Sequence, residues 1–200
     1  MPPSKPVVRH VEGASATVRV KSTLVASSRQ GLFDRGHRET YEHALGAEGS
    51  RLMADAVMGN QWLPLETARQ HYQAADAIGL SIEQMHSVGN VVGARIEGAL
   101  MGSLARLARA GGMTPWTPLG RLDQLWFRMY EGGSIAVTEL GPKDAQVEMI
   151  HNELADIRYW RVALTGLLHG ALLVFARTGH TQLVDELRRP GTAVYRMSWV

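Results

Sequence analysis

The sequence contains no cysteine. This absence excludes disulfide bonds, thiolate-ligated zinc sites and cysteine nucleophiles. Because a chain of 200 residues buries most of its apolar surface on folding, it needs no covalent cross-link to be stable. A cysteine-free chain suits a reducing compartment, and we therefore expect a cytoplasmic protein.

Long uncharged apolar runs are also missing. No segment reaches eighteen such residues, which is close to the minimum for a membrane-spanning helix. The first residues, MPPSKPVVRH, lack the continuous apolar region of a signal peptide. We therefore expect neither a membrane span nor export.

An excess of one sign of charge is found only near the N-terminus. Residues 1–38 carry seven basic and two acidic residues, whereas the rest of the chain is close to neutral. No aromatic run is interleaved with the basic residues, so nucleic-acid binding is not expected. Three prolines and few apolar residues in 1–13 predict a disordered, basic, Pro-rich arm.

Residues 14–200 are predicted to form a single α+β domain, whose first part, about 30–112, is helical. Alternation over 16–26 predicts a strand, and RETYEHALG, SRLMADAVMG and LPLETARQHYQAADAIG predict three short helices that each end at glycine. A longer helix is predicted from Ile82 to about Ala110. Gly89, Gly93, Gly98 and Gly102 cost it helix propensity, which favours a buried central helix in close contact with another backbone.

The second part, about 122–200, is predicted to be sheet, helix and sheet. LWFRMY, SIAVTEL and QVEMI alternate with period two and predict a three-stranded meander with a turn at Glu131–Gly133. A long helix from about Ile157 to Arg177 follows, and then two C-terminal strands, TQLVDEL and TAVYRMSW. The predicted architecture is a helical part packed on an antiparallel sheet.

The candidate catalytic and metal-binding groups do not form a recognisable site. Two Glu-x-x-His pairs occur, Glu83/His86 and Glu148/His151, but only the first is predicted to be helical, whereas di-iron bundles need two helical pairs. His169 is predicted to face solvent on the long helix. We therefore predict no metal and no catalytic residue, and we expect the protein not to be an enzyme.

The one positive indication is a glycine-rich central helix beside tryptophans. We predict an apolar pocket between the central helix and the C-terminal sheet, with these ligand-binding candidates: Met85, Val92, Ile96, Trp126 and Trp160. The predicted function is a ligand-sensing or regulatory module for a hydrophobic small molecule, acting as a homodimer. The alternative is a protein-interaction or scaffold domain whose core is filled by side chains and which binds no ligand.

The C-terminal half resembles a known family. Gly133-Ser134, ELGPKDAQVEM, WRVALTGLLHGAL and TAVYRMSW are similar to the myxobacterial paralogous family of uncharacterised proteins related to the haem-NO-binding and 4-vinyl-reductase-like domains. The resemblance implies a helical N-terminal part, an α/β C-terminal part and a pocket between them. It also implies signalling roles in sensing haem gases, tetrapyrroles or hydrophobic small molecules.

The chain departs from the haem-binding relatives. They carry a Tyr-x-Ser-x-Arg motif on the strand after the hairpin, where this chain reads IAVTELGPK. The helix ending LARLARAGG offers no axial histidine, and the cysteines that hold zinc in other relatives are absent. The sequence therefore predicts no haem and no other cofactor.

Overall fold

The computed structural model describes residues 4–56, 59–96 and 113–200. The helices are α1 (Ser22–Phe33), α2 (Arg38–Ala56), α3 (Leu65–Ala77), α4 (Ile82–Ile96), α5 (Trp116–Leu119), α6 (Leu122–Met129) and α7 (Arg158–Leu173). The strands are β1 (Lys5–Val8), β2 (Arg19–Lys21), β3 (Trp62–Pro64), β4 (Tyr130–Glu131), β5 (Ser134–Gly141), β6 (Asp144–Ile150), β7 (Gly179–Leu183) and β8 (Ala193–Trp199).

The strands form two antiparallel sheets. The larger has the order β1-β5-β6-β8-β7, and the smaller has the order β3-β2-β4. Along β6 the buried residues Ala145, Val147 and Met149 alternate with partly exposed ones, because one face of the sheet packs on the core. The predicted α+β class, with helices packed on an antiparallel sheet, is confirmed.

The centre of the fold is the contact between α4 and α7. A Cβ atom on Gly89 would collide with the Ala163 carbonyl, and one on Gly166 would collide with the His86 carbonyl. The predicted close backbone approach of the central helix is therefore confirmed at Gly89. Gly98, Gly102 and the remainder of the predicted helix to Ala110 lie outside the described residues.

The predicted strand over 16–26 is wrong for most of its length. Only β2 is extended, and α1 begins at Ser22. Leu24, Val25, Ser28 and Leu32 are all buried and recur at helical spacing, so packing of this face favours the helix over the local alternation. The two helices predicted over 38–46 and 50–59 correspond to α2 as far as Ala56, and the backbone of α2 breaks at Gly46 with a φ of 75°.

LWFRMY is also not a strand. Its first five residues belong to α6, and its last residue, Tyr130, is extended together with Glu131 as β4. Leu122, Leu125, Trp126 and Met129 follow a helical period and all face the same cavity, which outweighs the short alternation. The first strand of the predicted meander is therefore wrong, whereas β5, β6, α7 and β8 lie where the sequence predicts them. Of the predicted strand TQLVDEL only the first three residues belong to β7, and Asp185–Leu187 forms a short 3-10 helix.

The predicted disorder of residues 1–13 is wrong for residues 5–8. They form β1, which pairs with β5 at the edge of the larger sheet, and Val8 is only 8% exposed. An edge strand tolerates Pro6 because one side of the strand has no ladder partner. Beyond β1, the backbone N–H of Val11 donates to Ser134 Oγ at 2.9 Å. This segment is therefore part of the packed structure.

Substitutions in β1 test whether this strand packs in solution. Val8→Asp is expected to lower the free energy of unfolding by about 2 kcal/mol, because it buries a carboxylate without a partner. Val7→Asp is the matched control, since Val7 is 37% exposed and should change stability by less than about 0.5 kcal/mol. Equal urea midpoints for the two variants would show that β1 does not pack.

None of the helices in residues 4–56, 59–96 and 113–200 combines the length and the hydropathy that a membrane crossing requires.

Candidate ligand cavity

A cavity of about 150 Å³ lies between α6, α7 and the inner face of the larger sheet. Each of the three elements contributes apolar side chains to its wall: Trp126 and Met129 from α6, Leu164 and Leu168 from α7, and Met149 and Met197 from the sheet. On the sheet these residues belong to the set that points inward. On α7 they form one stripe at helical spacing.

The wall of this cavity is almost wholly apolar. Its tryptophan, Trp126, donates its indole N–H to the carbonyl of Gly132 at 3.0 Å, so this polar group is already satisfied. The Tyr130 ring stacks on Trp126 with 4.2 Å between ring centroids. Burial raises the pKa of the Tyr130 hydroxyl well above its usual value, although the nearby Trp160 side chain lowers it slightly. The phenol is therefore neutral, and no charged side chain is among the described residues of the wall.

A second cavity of about 30 Å³ lies deeper, between α1, α4 and α7. It shares Leu24, Tyr130, Leu164 and Leu167 with the larger cavity, so the two have a common wall. This space is large enough for about one water molecule. Ser28 belongs to its lining, and its hydroxyl hydrogen-bonds the Tyr159 hydroxyl at 2.9 Å.

The structure divides the five predicted ligand residues between different places. Trp126 lines the larger cavity, whereas Val92 and Trp160 line the smaller one. Met85 is buried in the core but lines neither of these cavities. Ile96 ends α4, and its side chain lies outside the described part of the chain. Their role in binding stays a prediction.

Sequence reasoning missed most of the cavity wall on α6. Leu125 and Met129 fall in the predicted strand LWFRMY, where they would share a face with each other but not with Trp126, and Leu122 precedes that strand. The signal that identifies them is their spacing together with Trp126, which repeats every three or four residues. Pro115, immediately before α5, and Pro118, within it, also line the cavity.

Two histidines face each other across the contact between α4 and α7. The ring centroids of His86 and His169 are 5.5 Å apart and both side chains are half-buried, so the prediction that His169 faces solvent holds only in part. The close approach of the two helices brings this side of α7 against α4. Burial lowers the pKa of His86, and the neighbouring His169 lowers it further. The pKa of His169 is lowered by burial and then by His180.

The two Glu-x-x-His pairs do not form a joint site. Glu83 accepts a hydrogen bond from the hydroxyl of Ser81, and Glu148 lies 3.4 Å from the ring of His10. In residues 4–56, 59–96 and 113–200, no three His, Asp or Glu side chains come together in a way that could hold a metal ion.

His71 is the most deeply buried ionisable group with a lowered pKa. Its Nδ1 shares a hydrogen bond of 2.7 Å with the Tyr41 hydroxyl, and its Nε2 has no partner within the described residues. Burial lowers the pKa of His71 to about 3, with a smaller contribution from the positive charge of Arg29. The imidazole is therefore neutral in the folded protein at neutral pH.

Comparisons with known proteins identify the fold. No protein-family model matches the chain, and no curated protein matches it. Among solved structures, an H-NOX variant from K. algicida in the unliganded Fe(II) state has a TM-score of 0.65 at 14% identity, covering 90% of this chain and 96% of that chain. An H-NOX variant from T. tengcongensis has a TM-score of 0.60 at 14% identity, covering 90% and 97%.

A third structure, from work on changing haem redox potential by porphyrin distortion, has a TM-score of 0.57 at 13% identity and covers 90% of this chain and 99% of that chain. The predicted relation to haem-NO-binding domains is confirmed as a similarity of fold, whereas the myxobacterial family stays a prediction. At this identity the comparison is structural alone: the chain has the fold of H-NOX, or haem-NO-binding, domains.

Proposed function

We propose that this chain is a non-catalytic ligand-sensing or regulatory module that binds a hydrophobic small molecule in the larger cavity. The observation that carries the proposal is an almost wholly apolar space of about 150 Å³ that is lined by α6, α7 and the sheet. Apolar cavities of this size stay dry and accept small apolar molecules, because water gains too few hydrogen bonds inside them.

The H-NOX neighbours make haem the first ligand to consider. A haem needs an axial donor to iron, which is most often His or Cys, and cationic or polar partners for its two propionates. The wall of the cavity offers no His, Cys, Lys or Arg among its described residues. Residues 97–112 contain no His or Cys either. The residues present therefore do not fit a histidine-ligated haem.

The purified protein is accordingly expected to take up no stoichiometric haem. Haemin would be added in equal amount, the mixture desalted, and the Soret absorbance measured against the protein absorbance. The expected spectrum has no Soret band after desalting, because no histidine is among the described residues of the cavity wall and residues 97–112 contain none. A band that persists at one haem per chain would contradict this assignment.

The wall of the cavity is connected directly to the contact between α4 and α7. Gly93 and Leu167 both line the cavity, and an atom added at the Gly93 Cβ position would lie 3.3 Å from the Leu167 carbonyl oxygen. The same two residues thus belong to the contact between α4 and α7. A ligand that moves this wall also changes the helix contact, which is the kind of coupling that a sensing module needs.

A second candidate function is a protein-interaction or scaffold domain without a ligand. It is favoured by two large apolar side chains that remain on the surface, Phe127 at 45% exposure and Leu173 at 43%. Homodimer formation through such a surface stays a prediction. Saturable binding of a small molecule in the cavity separates the two functions, since a scaffold domain does not require it.

Octanol is the probe for this test, and the intrinsic fluorescence of Trp126 in the cavity wall is the signal. The wild type is expected to bind one octanol per chain. Ala171→Phe places a ring in the cavity and should weaken binding at least tenfold, an effect of about 1.4 kcal/mol. Ala54→Phe makes the same change on the exposed surface of α2 and should leave binding unchanged. Equal octanol affinity in the two variants would contradict binding in this cavity.

A further inference from the structure

A groove of about 90 Å³ lies on the other side of the cavity wall. Its lining combines the apolar residues Leu125 and Phe175 with the polar side chains of Arg121, Gln124 and Arg128. Pro118 and Leu125 line both the groove and the larger cavity. The groove is therefore directly adjacent to the apolar space.

The helical period of α6 explains why the polar residues share this groove. Arg121, Gln124 and Arg128 are spaced at i, i+3 and i+7, so they lie along one face of the helix. Trp126 and Met129 lie toward the cavity. The same short helix thus presents an apolar surface to the inside and a cationic surface to the outside.

Some arginines of the surface are already paired with a carboxylate. Arg69, Arg95 and Arg196 each form a charge-assisted hydrogen bond to a carboxylate of the chain. Arg121 and Arg128 form no ion pair within the described residues, and no Asp or Glu is among those that line the groove. Two arginines that line one groove suit a carboxylate, which accepts two parallel N–H bonds from arginine.

We propose that the ligand of the cavity is an amphipathic carboxylic acid. Its apolar body occupies the larger cavity, and its carboxylate binds Arg121 and Arg128 in the adjacent groove. This inference rests on the proposed function, because the apolar body requires the cavity. It adds the chemical class of the ligand, namely a molecule with one anionic group at the end of an apolar chain.

Octanoate and octanol distinguish this inference from the proposed function, since they differ only in the charged end. Both would be titrated against the wild type and against the double variant Arg121→Gln with Arg128→Gln. The double variant should bind octanoate roughly tenfold more weakly and octanol as well as the wild type does. The octanoate affinity of the wild type should also fall as salt rises, because the arginines are exposed.

The control is Arg51→Gln with Arg158→Gln, which removes the same charge from exposed positions outside the groove and should leave both affinities unchanged. Octanoate binding that is equal in all three proteins would overturn the inference, and so would an equal loss of both ligands in the groove variant. Binding of octanol but not octanoate by the wild type would overturn the inference alone. Failure of both ligands to bind would overturn the proposed function as well.

Discussion

Gly166→Ala is expected to lower the free energy of unfolding by about 3 kcal/mol, the upper end of the usual cost of overpacking. The added methyl group would collide with the backbone carbonyl of His86 on α4. A backbone atom cannot move aside as a flexible side chain can, so α4 and α7 would have to separate. The urea midpoint at neutral pH measures this effect.

Gly170→Ala on the same helix is the control. Its added Cβ would meet Asn90 Oδ1 at 3.5 Å, which is an ordinary contact. Because alanine is the better helix former, this variant should be neutral or more stable by up to about 1 kcal/mol. The two substitutions are chemically identical, and only the distance to α4 differs. A Gly166→Ala midpoint at or above that of the wild type would contradict the close contact.

Stability should fall as the pH is lowered through the range where an ordinary histidine titrates. The pKa of His71 is about 3 in the folded protein, whereas an unfolded histidine has a pKa of about 6.5. Between these values the unfolded chain binds the proton and the folded chain does not. The contribution of His71 is therefore complete above about pH 6.5 and is lost at up to about 1.4 kcal/mol per pH unit below it.

His71→Gln isolates this contribution because glutamine keeps a hydrogen-bonding group near Tyr41 but does not titrate. Between pH 7 and pH 5, the wild type should lose about 2 kcal/mol more than the variant. His43→Gln, at an exposed position on α2, should keep the wild-type slope. His86 and His169 also have lowered pKa values and act in the same direction, but they are present in all three proteins. Identical slopes for the wild type and His71→Gln would show that His71 is not buried as a neutral imidazole.

The sequence predicts the C-terminal half well because its patterns are long. The alternation of β6 extends over seven residues, and the apolar stripe of α7 extends over sixteen, so each has one consistent period. The glycines of the central helix also predict a close contact, since Gly89 lowers helix propensity without any other evident gain. These signals are local, and tertiary packing agrees with them.

The remaining elements depend on contacts between distant parts of the chain. Over six residues LWFRMY fits a strand as well as a helix. Only the packing of its apolar side chains around the cavity favours the helix, α6. The composition of residues 5–8 predicts disorder, whereas backbone pairing with β5 makes them a strand. The candidate site could be predicted only in part for the same reason. Trp126 and Trp160 were identified, but whether the space between elements is empty depends on side-chain packing.

The most direct test of the account is a crystal structure of the protein soaked with bromooctane, in which anomalous scattering locates the bromine. The alkyl halide is apolar and cannot ligate iron, so its binding requires only the cavity. The account predicts an anomalous peak enclosed by Trp126, Leu164 and Met197, and its loss in Ala171→Phe. A cavity without bromine at a ligand concentration that saturates the fluorescence change, or a bromine found only on the outer surface, would contradict the central claim.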